Sequence, residues 1–371
     1  MQQAEKRYDL LVFIGRFQPF HNGHKHVVDK ALEQADNVLV LVGSANRPRT
    51  RKNPWSFVER RDMIQSVYQD NGRLHIARLD DHLHENDFHW IMEVQQAVAA
   101  CCRWKLGLRD GAARIGLIGH SKDQTSYYLK KFPQWSSVNV DGYKVENTVL
   151  DATSLRRVMI EVGGCSPTFT FDQFVPKPVA EWLQREHGQH GNGNMATDLL
   201  FKDLKVADDF VKKYREDHKY KGGQPYMPIH TTTDAVVIQS GHVLLGRRKF
   251  NPGKGLWALP GGFVHEFEPS MSAALRELRE ETTIDLPDET LKLAFRFKQV
   301  FSDVNRSDDR GRIITHGYLF LLNDRETLPK VKAADDLAEV KWVPLGLLDS
   351  SEMYSDHYWI IHKMIDMLPV D

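Results

Sequence analysis

The sequence predicts two α/β domains in tandem, and three observations carry that reading. The chain has 371 residues, more than one typical core takes up and a fair length for two. Leu10 to Ile14 is an apolar run ending at Gly15. Helical spacing follows from Lys25 to Ala35 (Val27, Val28, Ala31, Leu32), and then the continuous apolar run Val38 to Val42. Strand, helix, strand in that order is the repeating unit of an open parallel sheet buried on both faces. In the second half, Asp234 to Ile238 and His242 to Leu245 flank Gln239-Ser240-Gly241 as a hairpin, ahead of a glycine-rich loop and a glutamate-rich helix.

Composition excludes several classes. Hydrophobic residues make up 41% and charged residues 27%, ordinary values for a globular protein. Lys and Arg number 49 against 50 Asp and Glu, a net charge of -1, so no overall field draws the chain to nucleic acid or to an anionic membrane. Cys101, Cys102 and Cys165 are too few for a disulfide framework or a zinc set and suit a reducing cytoplasm; the adjacent pair reads as small apolar residues on a helix. Met1 to Asp9 is polar, Leu10 to Ile14 is too short for a signal core, and no apolar run reaches bilayer length. The expected location is cytoplasmic.

The first half is organised around Gly15-Arg16-Phe17-Gln18-Pro19-Phe20-His21-Asn22-Gly23-His24. This tight turn closes a strand and opens a helix, bringing Arg16, His21 and His24 to a helix N-terminus whose free N–H groups attract anions. Two imidazoles and a guanidinium there form a grip for a triphosphate. No Gly-x-Gly-x-x-Gly follows the strand, which disfavours a dinucleotide-binding dehydrogenase. Arg47, Arg49, Arg51 and Lys52 read either as a solvated loop or as a flexible basic lid. Ser56 is an N-cap with Glu59 at its N3 position. Leu74 to Leu79 and Arg114 to Gly119 are further strands, followed by Asp80-Asp81 and by His120-Ser121-Lys122-Asp123. Thr153 or Ser154 caps a helix whose first turn presents Arg156 and Arg157, a second phosphate clamp.

His21-Asn22-Gly23-His24 resembles the His-x-Gly-His signature of the nucleotidyltransferase superfamily, and the preceding Gly-Arg-Phe-Gln-Pro-Phe is similar to the archaeal-type nicotinamide-mononucleotide adenylyltransferases. Glu59-Arg60 and the stretch around Thr153 to Arg157 resemble other elements of that family, which often has Ser-Gly-Thr where this chain has Asp151-Ala152-Thr153. The resemblance implies a Rossmann-like domain with a parallel sheet over residues 1–186. It implies catalysis by Arg16, His21 and His24, with ATP held by Gly15, Phe17, Gly119, Thr153, Arg156 and Arg157. Asp81, Asn86 and Trp90 would take the nicotinamide nucleotide, the amide pairing with the carboxamide and the indole stacking on the pyridinium; read from spacing alone, they are a helix start with one core tryptophan.

Pro176 to Arg185 reads as the last helix of the first domain. The glycine-rich, wholly polar His187 to Asn194 reads as a linker, here bounded at 187–197. Leu199 to Tyr214 is amphipathic and can pack against either neighbour. In the second domain, 198–371, the helix after Ser270 places Glu277, Glu280 and Glu281 on one face. Like charges at that spacing repel, and a cation among them turns repulsion into binding; oxygen ligands suit Mg²⁺ or Mn²⁺. The plainer reading is a solvated acidic helix. Gly262, Glu268 and Arg276-Glu277-Leu278-x-Glu280-Glu281 before Ile284 resemble the Nudix box, spanning 262–284, with Thr283 where the family has glycine. A locally altered turn is expected there. Arg310 and Arg312 form a basic loop that reads either as solvated or as a contact for substrate phosphate. Trp342-Val343-Pro344 and Ser355-Asp356-His357-Tyr358 look like the end of an ADP-ribose-hydrolase-like Nudix domain.

That resemblance implies an α/β/α sandwich with a mixed sheet. Glu277, Glu280 and Glu281 would be metal ligands, Glu280 and Glu281 catalytic, and Gly262, Glu268 and Arg276 supports of the loop–helix shape. The domain order is similar to that of bifunctional nicotinamide-nucleotide adenylyltransferase/Nudix hydrolases. The implied substrates are ATP, nicotinamide mononucleotide and ADP-ribose, with Mg²⁺ or Mn²⁺ in both domains, no nucleic acid, no membrane and a homo-oligomer left open. A second implication is a Nudix domain that senses ADP-ribose without hydrolysing it. For the first domain the rival is a cytidylyl- or pantetheine-type transferase, which shares His-x-Gly-His.

Overall fold

The computed structural model describes residues 7–69, 71–83, 87–108, 113–120, 131–145, 148–162, 173–187, 195–217, 229–303, 306–308 and 310–369. The chain divides into two compact units, Met1–His82 with Asn86–Val206, and Leu83–Glu85 with Ala207–Asp371. Among the described residues no helix is long and apolar enough to cross a membrane.

The first unit runs β1 (Tyr8–Gly15), α1 (Asn22–Gln34), β2 (Ala35–Val42), α2 (Phe57–Val67), β3 (Leu74–Arg78), α3 (Asp87–Ala100), β4 (Ile115–Gly119) and β5 (Ser136–Asn139). A short ladder of β6 (Lys144–Val145) and β7 (Thr148–Val149) leads to α4 (Ala152–Val162), α5 (Lys177–His187) and α6 (Met195–Asp217). The five long strands form one sheet in the order β3-β2-β1-β4-β5, every pair parallel. Alternation along β1 explains burial on both faces: Leu11 and Phe13 join one core cluster, with α1, α4 and α5, while Leu10, Val12 and Ile14 join the other, with α3. The chain leaves β1 toward β2 on one side and returns to β4 on the other. The carboxyl ends at Gly15 and Gly119 therefore flank the crevice where such sheets bind ligands.

Local chemistry sets the helix starts. Ser56 caps α2, its hydroxyl taking the Glu59 N–H while the Glu59 carboxylate takes the Ser56 N–H at 2.7 Å, the expected reciprocal pair. At α4 the expected cap is corrected. Asp151, not Thr153 or Ser154, receives the N–H groups of Thr153 (2.8 Å) and Ser154 (3.1 Å). A carboxylate at a helix N-terminus also meets its positive end, so the acid is the better cap. Cys101 and Cys102 are buried as expected, but on a π-helical turn, Cys101–Lys105. The expected linker falls mainly on residues outside those described. The division between units lies within α6, at Val206, because Phe201 and Leu204 join the first core, with the Phe201 ring 5.9 Å from Trp55.

The second unit adds β8 (Ile229–Gln239), β9 (His242–Arg248), β10 (Trp257–Ala258), β11 (Gly261–Phe263), α7 (Ser270–Thr282), α8 (Asp288–Ala294), β12 (Phe295–Phe301), β13 (Ser307–Asp308), β14 (Gly311–Leu321), β15 (Leu337–Pro344) and α9 (His357–Asp366). Its sheet is mixed: β8 and β14 pair in parallel along their length, and every other pair is antiparallel. The hairpin turn is made by Ser240 (φ 47°) and Gly241 (φ 71°), both in the left-handed region that a two-residue turn demands. Ala274 and Leu278 of α7 pack on Ala235 and Val237, and Ile360, Ile361 and Met364 of α9 on Val236 and Ile238. Helices cover both faces, an α/β/α sandwich.

Thr283 corrects the expectation of an altered turn. It adopts the left-handed conformation itself (φ 41°, ψ 38°), its N–H reaching the Arg279 carbonyl at 2.9 Å. Its hydroxyl donates to the Lys332 carbonyl at 3.1 Å and so offsets part of the strain. That strain is about 1–2 kcal/mol, and an exposed hydroxyl bond returns about 0.5 kcal/mol. Thr283→Gly is therefore expected to stabilise the unit by about 0.5–1 kcal/mol, read as a raised denaturation midpoint at unchanged slope.

Candidate active sites

In the first unit β1 delivers the loop from Gly15 to His21 onto the N-terminus of α1. A Cβ at Gly15 would stand 2.8 Å from the Phe17 ring, so only glycine fits, and Phe17 holds φ 53°. His21 is the N-cap. Its Nδ1 accepts from the N–H groups of Gly23 (3.1 Å) and His24 (3.4 Å), and His24 Nδ1 accepts from the His21 N–H at 3.3 Å. The rings stack with centroids 3.7 Å apart. With both Nδ1 atoms accepting, the ring proton of each histidine sits on Nε2.

This corrects the expected anion grip. The helix N–H groups are spent inside the protein: Asn22 donates to the Phe174 carbonyl, Gly23 and His24 to the imidazole, Lys25 to the His21 carbonyl. The terminus orients the imidazoles, and these, not the backbone, can meet a phosphate. The Phe17 side chain is 1% exposed, its ring lying edge-on to His24 at 4.8 Å, so the ring forms the floor under that histidine.

Arg16, Arg60 and Arg156 share this end of the sheet. Arg16 is exposed. Arg156, buried, donates to the Gln18 carbonyl at 2.7 Å and to the Thr153 hydroxyl at 3.2 Å; burial, then the nearby Arg16 charge, pull its pKa down to about 10. Arg157, one residue on, lies on the exposed side of α4. Arg60 is 1% exposed and joins the carbonyls of Arg16 (2.8 Å), Gly43 (2.7 Å), Ser44 (3.1 Å) and Ser56 (3.1 Å), with a pKa drawn down to about 10 chiefly by burial. It fastens the ends of β1 and β2 together. Arg60→Lys loses the fork and strands several of those carbonyls; the expected cost is about 3 kcal/mol, measured by chemical denaturation.

The basic loop after β2 is pinned. Arg49 donates to the Pro54 carbonyl at 2.7 Å and pairs with Glu59 at 2.9 Å, and Arg47 faces Asp81 at 3.7 Å. Asp81, predicted for nucleotide binding, also accepts from Ser44 (3.1 Å), and Asn46 exchanges two hydrogen bonds with its backbone. Trp90 is partly buried against the second core cluster, its ring 5.9 Å from that of Phe132. Gly119 closes β4, its carbonyl taking the Val140 N–H. Asn86 and residues 121–123 lie outside the described residues. Gln18 and Asn46 were not singled out by sequence; Gln18 sits inside the quoted motif, and its amide holds both backbone groups of Trp55 (2.8 and 3.0 Å).

In the second unit Arg276 organises the acidic face of α7. It binds Glu268 through two bonds (2.9 and 3.0 Å), Glu277 at 2.8 Å, Glu280 at 2.9 Å and the Phe263 carbonyl at 3.1 Å. Arg276 thus ties Glu268 and the Phe263 backbone to α7. Glu281 is 6% exposed and accepts the Gly261 N–H at 2.9 Å; burial first, with the Glu277 charge adding, pushes its pKa up to about 8. Burial raises Glu277 as well. A Cβ at Gly262 would lie 2.5 Å from the Glu277 carboxylate, so the loop cradles that group only as glycine.

A divalent cation fits this set: all donors are oxygens, and burial raises Glu281 and Glu277 alike, a penalty that added positive charge relieves. As the side chains stand, no three His, Cys, Asp or Glu among the described residues are placed to hold an ion, because Arg276 keeps Glu277 and Glu280. Arg310 lies over the rings of Phe263 (5.2 Å) and Tyr214 (5.7 Å), beside the glycine loop, whereas Arg312 turns to the Ser302 carbonyl. Asp335 and Asp336 act electrostatically on Glu277 and Glu281; these later carboxylates were not named from sequence.

A parallel-sheet unit with paired imidazoles at its switch point, joined to a sandwich with an acidic helix under a glycine loop, defines a nucleotidyltransferase coupled to a Nudix module. Comparison with known proteins agrees. Residues 12–121 match the cytidylyltransferase-like family model and residues 228–364 the NUDIX domain model. A nicotinamide/nicotinic acid mononucleotide adenylyltransferase of Acinetobacter baylyi is 38% identical over 157 residues, 42% of this chain and 77% of that protein. The crystal structure of a bifunctional NMN adenylyltransferase/ADP ribose pyrophosphatase from Francisella tularensis is 34% identical with a TM-score of 0.83, covering 97% of this chain and 99% of that one. A second structure of that description from the same organism, complexed with AMP and Mn ion, has a TM-score of 0.82 at 33% identity. The chain belongs to the family of bifunctional NMN adenylyltransferase/ADP ribose pyrophosphatases.

Proposed function

We propose that the first unit transfers the adenylyl group of ATP to nicotinamide mononucleotide, releasing pyrophosphate and forming NAD, and that the second hydrolyses ADP-ribose to AMP and ribose 5-phosphate. The observation that carries this is the end-to-end likeness to the Francisella enzyme. In the transfer, the mononucleotide phosphate attacks the α-phosphorus of ATP. The protein aligns the two and neutralises charge. Nε2–H of His21 and of His24, with Arg16 and Arg156, meets the growing charge on pyrophosphate, and Mg²⁺ or Mn²⁺ carried in with ATP would supply further charge neutralisation. Asp81, Asn86 and Trp90 receive the nicotinamide end.

In the hydrolase, Glu277, Glu280 and Glu281 would hold Mg²⁺ or Mn²⁺, which neutralises the diphosphate and supplies an activated water. Arg276 and Glu268 keep the helix and the loop in register, and Gly262 lets the loop approach. Pairing of Glu277 and Glu280 with Arg276 favours one second reading, an ADP-ribose sensor without turnover. The test is direct. The purified chain with Mg²⁺ is given ATP and nicotinamide mononucleotide, and separately ADP-ribose, while NAD, pyrophosphate and AMP are followed. Product from pantetheine phosphate but none from the mononucleotide overturns the first assignment, and ADP-ribose bound without AMP release replaces the second by the sensor.

A further inference from the structure

Beneath β11 lies a charged network that no step above uses. Asp234, Arg306, Asp356 and His357 are each less than a tenth exposed. Arg306 pairs with Asp356 at 2.7 Å and stands 3.6 Å from Asp234, which also takes the Thr315 hydroxyl at 2.7 Å. His357 opens α9, its Nε2 4.0 Å from Asp234, and its Nδ1 accepts the Leu259 N–H at 2.9 Å. Leu259 leads through Pro260 to Gly261, whose N–H is the donor to Glu281. The Pro260 carbonyl takes the Ala235 N–H at 2.8 Å, and Gly261 pairs with Asp234 across the sheet.

Resting on the metal-dependent reading of the second unit, we propose that His357 is a positioning residue for Glu281: by accepting the Leu259 N–H it fixes Leu259-Pro260-Gly261 so that the Gly261 N–H stays aimed at the carboxylate. A three-residue segment with a proline at its centre is short and stiff, so fixing one end fixes the other. Burial holds the imidazole neutral, as an Nδ1 acceptor requires. Asp234, itself held by Arg306 and by the Thr315 hydroxyl, faces the far side of the ring at 4.0 Å from Nε2.

The test is Mn²⁺ affinity of the full chain, followed by the paramagnetic resonance signal of the free ion. His357→Leu, which cannot accept from Leu259, is expected to weaken Mn²⁺ binding about tenfold or more. His357→Asn, whose Oδ1 can replace Nδ1, is expected to stay within about threefold of wild type. NAD synthesis by the first unit serves as the internal control. A measurement on unaltered protein guards against a variant that fails to fold: nitrogen resonances of His357 must show an unprotonated Nδ1. Wild-type affinity in His357→Leu, or a proton on Nδ1, overturns the proposal. An unaltered chain that binds no Mn²⁺ overturns the metal reading itself, a different result from either.

Discussion

His24→Ala is expected to lower the turnover of ATP and nicotinamide mononucleotide by about 10³-fold while leaving ADP-ribose hydrolysis unchanged. The magnitude follows from removing one preoriented donor to developing charge, about 10²–10³ in kcat, together with the stacking that holds its neighbour. His24 is fixed on three sides, by Phe17 at 4.8 Å, by Phe20 at 5.8 Å and by His21 at 3.7 Å between ring centroids, and by the His21 N–H at its Nδ1. It costs no reorganisation when pyrophosphate departs. The companion variant separates roles. His21 is both helix cap and phosphate donor. His21→Ala loses both, including about 1 kcal/mol of cap. His21→Asn keeps a good cap and loses the Nε2–H with the ring stacked on His24, so its melting temperature falls less than that of His21→Ala while kcat falls as for His24→Ala. Steady-state release of pyrophosphate, beside a thermal melt, reads both. An Asn variant with full activity would remove the imidazole from the chemistry.

Much of this architecture was readable in the residues, for a physical reason. Leu10 to Ile14 and Val38 to Val42 are strands buried on both faces, and such strands announce themselves as unbroken apolar runs. Ser56 and Glu59 form a cap that needs only two residues three apart. What stayed hidden depends on partners far along the chain or on groups with two uses. The Leu259 N–H meets a histidine 98 residues later, and no local pattern marks either. Arg60 stood out only as part of a family element with no role attached, yet it is the clamp between two strand ends. The N–H groups at α1 looked free for ligand because histidine is not an expected cap. Thr283 looked like a defect because the position asks for glycine, and its hydroxyl found a carbonyl 49 residues away. Phe17 stood in a binding motif and turned inward, since a motif gives spacing and not side-chain direction.

Replacing Glu281 by Gln is expected to remove ADP-ribose hydrolysis by about 10³-fold or more, and to abolish the rise in melting temperature that Mg²⁺ gives the wild type. The carboxylate is nearly dry, has the Gly261 N–H at 2.9 Å, and is pushed up to about 8 by burial with the Glu277 charge adding. Such a group favours any state that brings positive charge to it. A cation bound only by the folded chain stabilises it by RT ln(1 + [Mg²⁺]/Kd), about 2.7 kcal/mol at a hundredfold excess over Kd. The amide oxygen of Gln can still take the Gly261 N–H, so the loop keeps its anchor, and the metal-free variant should be at least as stable as the metal-free wild type. What it lacks is charge for the ion, and an ion that polarises the diphosphate contributes several kcal/mol, at about 1.4 kcal/mol per tenfold in rate. NAD synthesis in the same preparation should be untouched. Mg²⁺-dependent release of AMP within tenfold of wild type would show that Glu281 does not hold the ion, and would move the metal to Glu277 and Glu280 with a carboxylate from Asp335 or Asp336.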